Sequence, residues 1–142
     1  MPDGLMDFAR RYGEAWSSQK ASSVASFFAE NGSLKINDNP PSIGRAAITE
    51  TAQIFMTAFP NLHVSSDSIE KNGDRVIFRW TLTGKNTGPG GTARSVKISG
   101  YEHWRREPDG LIAESLGYYD STEYDRQLAP SSTRAAARPD GP

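Results

Sequence analysis

The sequence predicts an α+β fold in which three N-terminal helices cover one face of a curved, antiparallel (mixed) β-sheet. In the first 59 residues apolar side chains recur at spacings of three and four, which is the helical period. From residue 62 onward apolar positions alternate, and turn signals such as "NGD" separate the segments. Helices followed by hairpin-linked strands are typical of α+β domains. Such helices on a curved sheet would enclose a cone-shaped cavity that suits a small apolar ligand.

The three helices are predicted over residues 3–18, 21–30 and 45–59. The first has an apolar stripe formed by Leu5, Phe8, Ala9, Tyr12, Ala15 and Trp16. The dipeptide "NG" ends the second helix, and Pro60 ends the third because proline cannot continue a helix. A short strand, "SLKIN", and a loop, "DNPPSIG", lie between them.

Four longer strands are predicted over residues 62–71, 75–86, 95–106 and 111–120, and a short helix follows over residues 121–128. We expect residues 1–129 to form a single domain. Residues 130–142, "PSSTRAAARPDGP", contain almost no apolar side chains, and we expect them to be a disordered tail.

Composition narrows the classes of function. The chain has no cysteine, and its two histidines lack metal-ligand spacing, so we expect neither a metal nor a cofactor. The net charge is −1, and the acidic and basic residues are well mixed along the chain with no basic stripe, which argues against a nucleic-acid partner. No apolar run approaches the ~20 residues of a membrane span. The N-terminus carries charge where a signal peptide needs apolar residues, and we therefore expect a cytoplasmic protein with no membrane partner.

Several stretches together resemble a known superfamily. The segments "FARRYGEAW", "GDRVIFRWTLTGKNTGP" and "GYEHWRREPDGLIAESLGYYDSTEYDRQL" occur in the order typical of NTF2-like (cystatin-like) proteins. Within that superfamily the chain is most similar to the SnoaL-like polyketide cyclases, over about residues 5–128. The fold implied by this resemblance hosts enzymes, binding modules and transport factors, so it leaves the function open.

The resemblance to the SnoaL-like cyclases implies an acid/base carboxylate near the end of the last strand. The pattern "GKIxExW…D" of that family reads "GLIAESLGYYD" here, which puts Asp120 at the acid/base position and Leu116 in place of the usual tryptophan. Asp120 shares strand parity with Leu116 and Tyr118, and this parity predicts that its side chain faces the core. The alternative is that Asp120 only caps the following helix, since "DSTE" has the form of a capping box.

Ketosteroid isomerases share this fold and build an oxyanion hole from a tyrosine on the first helix and an acid in a "DHFR"-like strand segment. Tyr12 in "RRY" and Glu102 in "EHWR" occupy those two places. The base of the isomerases lies on the first short strand, where this chain has Ile36 and Asn37 with Asp38 just beyond. The position of that base is therefore empty or displaced here.

Glu102 is predicted to face inward. It shares strand parity with Ile98 and Trp104, and a carboxyl in an apolar pocket has a raised pKa. The alternative is a surface ion pair with Arg79 or Arg105.

Apolar and aromatic side chains are expected to line the cavity, although each aromatic could instead be ordinary core packing. The candidates for substrate binding are Trp16, Asn37, Phe55, Phe59, Trp80, Trp104, Leu116 and Tyr118.

Together with these residues, the resemblance to the SnoaL-like cyclases implies a cofactor-independent cyclase-type enzyme that removes a proton next to a carbonyl group of a small hydrophobic substrate. Asp120 would be the acid/base, while Tyr12 and a protonated Glu102 would stabilise the enolate oxygen. Two alternatives stay open: a ketosteroid-isomerase-like or epoxide-hydrolase-like activity in the same cavity, or a non-catalytic NTF2-like binding or dimerisation module. The half-polar sheet face that carries Arg79 and Tyr101 predicts a homodimer through the sheet.

Overall fold

The structure, a computed structural model, describes residues 4–129 and has the predicted α+β architecture. One curved six-stranded sheet has the strand order β2-β1-β6-β5-β4-β3. It is mixed because β1 runs parallel to β6, while the other neighbouring strands are antiparallel. In chain order the elements are α1 (Leu5–Ser17), α2 (Ala21–Ala25), β1 (Phe28–Ile36), β2 (Ser42–Ile43), α3 (Arg45–Ala58), β3 (His63–Asn72), β4 (Arg75–Lys85), β5 (Ser95–Arg106), β6 (Ile112–Tyr119) and α4 (Ser121–Leu128).

The second helix is shorter than predicted, because it ends at Ala25 and a strand begins at Phe28. The amide of Ile112 donates to the carbonyl of Phe27 over 2.9 Å, so the chain is already pairing with β6 where a helix was expected. Gly32 lies so close to β6 that an added Cβ would be 2.7 Å from the carbonyl oxygen of Ile112. Pairing between distant segments thus overrides the local helical pattern.

The core lies between the helices and the concave face of the sheet. Tyr12 of α1 is fully buried, and its ring meets the rings of Phe28, Phe78 and Trp104 at centroid distances of 6.0, 5.6 and 5.3 Å. The ring of Tyr12 thus links α1 to β1, β4 and β5, while the helix backbone lies beside β3, where a Cβ added at Gly13 would be 3.0 Å from the carbonyl oxygen of Val64.

The opposite face of the sheet carries partly exposed polar and aromatic side chains. Arg79 pairs with Glu70 over 3.0 Å, and the rings of Tyr101 and Tyr118 lie 5.2 Å apart. The homodimer expected through this face involves a second chain and stays a prediction. So does the disordered tail, since residues 130–142 lie outside the described residues. Within residues 4–129, no helix combines the length and the apolar character needed to cross a membrane.

Candidate functional site

A cavity opens between the concave sheet face and the helices α1, α3 and α4. It encloses about 580 Å³ of space not filled by atoms, including the solvent at its mouth, and its walls are almost entirely apolar. Four of the predicted site residues line it: Trp16, Phe55, Trp80 and Glu102. Tyr118 also borders the cavity, but its ring lies 5.2 Å from that of Tyr101 on the opposite face of the sheet. Glu102 is the one carboxylate among the described lining residues, so it dominates the electrostatics of the cavity.

Glu102 projects from the middle of β5 and is 7% exposed. Its Oε1 accepts hydrogen bonds from the hydroxyl of Ser115 at 2.7 Å, the indole Nε1 of Trp104 at 2.9 Å and the hydroxyl of Tyr12 at 3.0 Å. Its Oε2 has one longer contact, 3.3 Å from the Tyr12 hydroxyl. One oxygen is therefore held by three donors, while the other keeps most of its hydrogen-bonding capacity.

The surroundings of Glu102 favour its protonated form. Burial raises the pKa of its carboxyl above the ordinary value, and the hydrogen bonds from Trp104, Ser115 and Tyr12 oppose that rise without cancelling it. The alternative of a surface ion pair with Arg79 or Arg105 is excluded by this burial. The prediction that Glu102 faces inward is confirmed.

Tyr12 lies behind Glu102 in the core and is not among the residues that line the cavity. Burial raises the pKa of its hydroxyl well above the ordinary value, and the charge of Glu102 adds to this, while the indole of Trp16 acts in the opposite direction. Since the hydroxyl donates to Glu102, Tyr12 positions that carboxyl. The geometry does not place Tyr12 where an enolate oxygen in the cavity would form.

The prediction that Asp120 faces the cavity is wrong. Its exposed side chain accepts a 3.1 Å hydrogen bond from the amide of Glu123 and so caps α4. The strict alternation assumed for β6 fails because Arg105 pairs with Glu114 but Arg106 pairs with Ile112, which leaves one extra residue in β6. Such a β-bulge shifts the parity of the residues that follow it. Ser115, opposite Trp104, therefore faces the core, and Asp120 falls outside the cavity.

Four other candidates for substrate binding are not among the cavity-lining residues. Phe59 and Trp104 are fully buried in the core, since they pack against Gly84 and Phe78. Asn37 uses its side-chain oxygen to accept from the amide of Tyr119 at 3.0 Å. Leu116 follows the shifted parity of β6 and faces away from the cavity, opposite His103.

Sequence reasoning missed eight lining residues: Leu34, Ile36, Val64, Leu82, Ile98, Gly117, Tyr119 and Tyr124. Tyr119 and Tyr124 are the two polar ones, and their rings lie 5.3 Å apart where α4 follows β6. Burial and the neighbouring phenol raise the pKa of Tyr124 to about 12, with a further contribution from Asp125. Alternation along β6 would have predicted that Tyr119 faces the cavity if the bulge had been known.

Two walls of the cavity carry buried indole donors. The indole Nε1 of Trp80 is buried and has no hydrogen-bond partner among residues 4–129. The buried indole Nε1 of Trp16 makes no hydrogen bond of good geometry there, although it is near enough to the Tyr12 hydroxyl to lower its pKa. The ring of Trp80 packs closely on Gly100 of β5, where an added Cβ would be 2.6 Å from it. The part of the chain that the structure describes contains no group of three or more His, Asp or Glu side chains able to hold a metal ion.

Comparison with known proteins gives a family and a fold. Residues 6–128 match the family model described as SnoaL-like polyketide cyclase. A search of curated proteins found no match.

Three solved structures illustrate the structural similarity. A putative SnoaL-like polyketide cyclase from Jannaschia sp. CCS1 has a TM-score of 0.76 at 19% identity, over 88% of this chain and 90% of that one. A hypothetical protein with a ketosteroid isomerase-like fold from Catenulispora acidiphila DSM 44928, in complex with trimethylamine, has a TM-score of 0.76 at 17% identity, over 92% and 95%. SalBIII, an epoxide hydrolase/cyclase-like enzyme in pyran ring formation in polyether salinomycin, has a TM-score of 0.72 at 18% identity, over 87% and 97%. At these identities the likeness shows the fold alone.

Proposed function

The chain belongs to the SnoaL-like polyketide cyclase family, and from that premise we propose that it catalyses proton transfer next to a carbonyl group of a small hydrophobic substrate, with Glu102 as the acid/base. The observation that carries this proposal is a buried carboxyl on the wall of an apolar cavity, held mainly through Oε1, while Oε2 has only one longer contact, with the Tyr12 hydroxyl at 3.3 Å. Burial raises the pKa of this carboxyl, and a raised pKa moves a carboxyl towards the range in which it works as a general acid/base.

An aldol-type ring closure needs no group beyond such a carboxyl. The ionised Oε2 of Glu102 takes a proton from the carbon beside the carbonyl, and the C–H electron pair becomes the enolate. The enolate carbon then forms a bond to a second carbonyl carbon of the same molecule, whose oxygen becomes an alkoxide. Glu102 returns its proton to that alkoxide, so atoms and charge balance and the carboxylate is regenerated.

Tyr12, Trp104 and Ser115 hold the carboxyl during these steps. Their hydrogen bonds to Oε1 fix the rotamer of Glu102 and stabilise its ionised form, which partly offsets the cost of burying a charge. Without them the buried carboxyl would stay protonated to higher pH and would act as a base less often.

A second candidate follows from the protonated form of Glu102. A neutral carboxyl in an apolar cavity can donate its proton to an epoxide oxygen while a hydroxyl of the same substrate opens the ring. The structural similarity to the epoxide hydrolase/cyclase-like enzyme SalBIII supports keeping this reaction as the alternative.

The test uses 1-tetralone, a small hydrophobic ketone, in D2O, with the loss of its α-proton signals followed by proton NMR. We expect the wild-type protein to accelerate the exchange and Glu102→Gln to reduce that acceleration by roughly 10²–10⁴-fold. Glutamine keeps an acceptor for the three donors, so folding should survive. Asp120→Asn is the matched control and should stay within about twofold of wild type, because Asn caps a helix about as well as Asp.

Two results would count against the proposal. If Glu102→Gln exchanges the ketone as fast as wild type, Glu102 is not the acid/base. If the wild-type protein gives no acceleration although it binds the ketone, the cavity is that of a non-catalytic binding module.

A further inference from the structure

Gly117 is a glycine that the backbone of this fold does not require. Glycine weakens the interior of a strand, so it usually marks a bulge, an unusual backbone angle or a place where another group comes close. Every other glycine within residues 4–129 has a positive φ angle or has a neighbouring atom within 3.0 Å of an added Cβ. Gly117 has no positive φ angle, and the nearest atom to an added Cβ would be the carbonyl oxygen of Lys35, at 3.5 Å. Alanine would therefore fit at position 117 without strain.

The absent side chain would lie beside the proposed acid/base. Gly117 of β6 is paired directly with Glu102 of β5 and lines the cavity. Directly opposite residues on one face of a sheet have Cβ atoms about 4.5–5.5 Å apart. A Cβ added at Gly117 would be 3.6 Å from Cγ of Glu102. Glycine at this position therefore leaves open a space next to the carboxyl that any other residue would fill.

The other neighbours of Glu102 on the inner face of the sheet are filled. Phe78, its partner in β4, is fully buried and stacks on Trp104 with ring centroids 5.1 Å apart. Gly100, two residues along β5, also lacks a side chain, but the ring of Trp80 occupies that space, 2.6 Å from an added Cβ. Within the sheet, the side towards β6 is therefore the open approach to the carboxyl.

We infer that the substrate reaches Glu102 over Gly117, and that this glycine determines how bulky a group can lie beside the reacting carbon. The inference rests on the proposed function, because it takes Glu102 as the reacting group, and it adds the residue that limits which substrates reach that group. A methyl group at position 117 would occupy space through which the C–H bond of the substrate approaches Oε2. A compact substrate can shift within the remaining space, whereas a larger one is held away from the carboxyl.

Gly117→Ala tests the inference with two ketones of different size. The probes are 1-tetralone and cyclopentanone, which lacks the fused aromatic ring, and the readout is the loss of their α-proton signals in D2O. We expect Gly117→Ala to lower kcat/KM for exchange of 1-tetralone by roughly 10–200-fold, the range for a change of one methylene-sized group in an apolar pocket. Exchange of cyclopentanone should fall by less than about twofold, because the reacting group is unchanged and the smaller ring avoids the added methyl.

The stability of the same variant separates this role from a structural one. Alanine restricts the unfolded chain more than glycine does, and position 117 accepts a Cβ without strain, so the melting temperature should stay the same or rise. Gly100→Ala is the contrasting variant. A Cβ at position 100 would lie 2.3 Å from the carbonyl oxygen of Tyr118, so its melting temperature should fall. A glycine with only a structural role would not combine full stability with a loss of turnover confined to the larger ketone.

Three results would overturn the inference: Gly117→Ala exchanges 1-tetralone as fast as wild type, it loses both ketones equally, or its melting temperature falls as far as that of Gly100→Ala. Binding of the two ketones, measured by quenching of tryptophan fluorescence, keeps this outcome apart from the fate of the proposed function, since Trp16 and Trp80 line the cavity. Gly117→Ala should bind 1-tetralone more weakly than wild type and cyclopentanone equally well. If that binding difference is found while Glu102→Gln exchanges both ketones at the wild-type rate, or while wild type exchanges neither, the size limit at Gly117 stands and the acid/base role alone fails.

Discussion

Glu102 lies on β5 and Asp120 directly follows the neighbouring strand β6, yet the fold gives these two acids opposite environments. Glu102 is buried and accepts from three side chains, and burial raises the pKa of its carboxyl. Asp120 is exposed and accepts from one backbone amide at the start of α4. The difference shows that acid chemistry depends on where a strand points its side chain, and that one extra residue in β6 decides this for Asp120.

Removing the carboxyl of Glu102 should have the largest effect on stability. Glu102→Leu leaves the buried donors of Tyr12, Trp104 and Ser115 without an acceptor, and we expect a loss of about 3 kcal/mol or more in the free energy of unfolding. Urea unfolding measures the loss, and Glu102→Gln is the control that retains an acceptor. A loss below about 1 kcal/mol for Glu102→Leu would show that the three donors find other partners.

The sequence-based predictions were correct around Glu102 and wrong around Asp120. Alternation in β4 and β5 placed Trp80 and Glu102 correctly, because those strands pair without a register shift between them. The bulge opposite Arg105 and Arg106 has no mark in the sequence, and it reversed the predicted facing of Asp120, Leu116 and Tyr118. Strand parity is reliable within a regular ladder and is lost at its first irregularity.

The missed parts of the site depend on contacts between distant segments. Phe28 starts β1 instead of continuing a helix, because this segment pairs with β6. The partner of Phe28 in that pairing is Ile112, which is eighty-four residues further along the chain. Tyr124 reaches the cavity because α4 folds back over β5, where the side chain of Gln127 bonds both the amide and the carbonyl of Lys97. Neither contact leaves a local periodicity that could have predicted it.

The second largest effect is expected in how the free energy of unfolding changes with pH, which should differ between variants of Glu102 and of Asp120. Glu102 has a raised pKa in the folded protein, so its contribution to stability is fully present below the ordinary glutamate value of ~4.3 and is lost as pH rises through the folded pKa. In that window the loss can approach about 1.4 kcal/mol per pH unit. The measurement is the free energy of unfolding from pH 4 to 8, as the difference between wild type and Glu102→Gln.

In that comparison the wild-type protein should lose stability relative to Glu102→Gln as pH rises. Asp120→Asn provides the reference and should follow the wild-type curve over the same range. A difference between wild type and Glu102→Gln that stays constant with pH would mean that Glu102 titrates at its ordinary value and that its burial has no electrostatic consequence.

A smaller change tests how the donors tune Glu102. The hydroxyl of Ser115 donates to Oε1 at 2.7 Å and lowers the pKa of the carboxyl, against the larger effect of burial. Ser115→Ala should therefore raise that pKa further and cost about 1 kcal/mol of stability. Carbon-13 NMR titration of the glutamate carboxyls measures the shift. Ser99→Ala on the other face of the sheet is the control, and an equal shift in both variants would remove the tuning role of Ser115.

The smallest effect concerns Asp120 and decides what remains of its role. As an N-cap, Asp120 should lose about 1 kcal/mol on replacement by alanine and only a few tenths on replacement by asparagine, since Asn caps about as well. The capping contact is with the amide of Glu123, so the amide hydrogen exchange of α4 should accelerate in Asp120→Ala and stay unchanged in Asp120→Asn.

Because α4 carries Tyr124 to the cavity, Asp120→Ala should also loosen that wall and weaken ligand binding slightly, with proton transfer by Glu102 intact. If Asp120→Asn abolished ketone exchange while the exchange protection of α4 held, Asp120 would act in the chemistry and the contrast drawn between the two acids would fail.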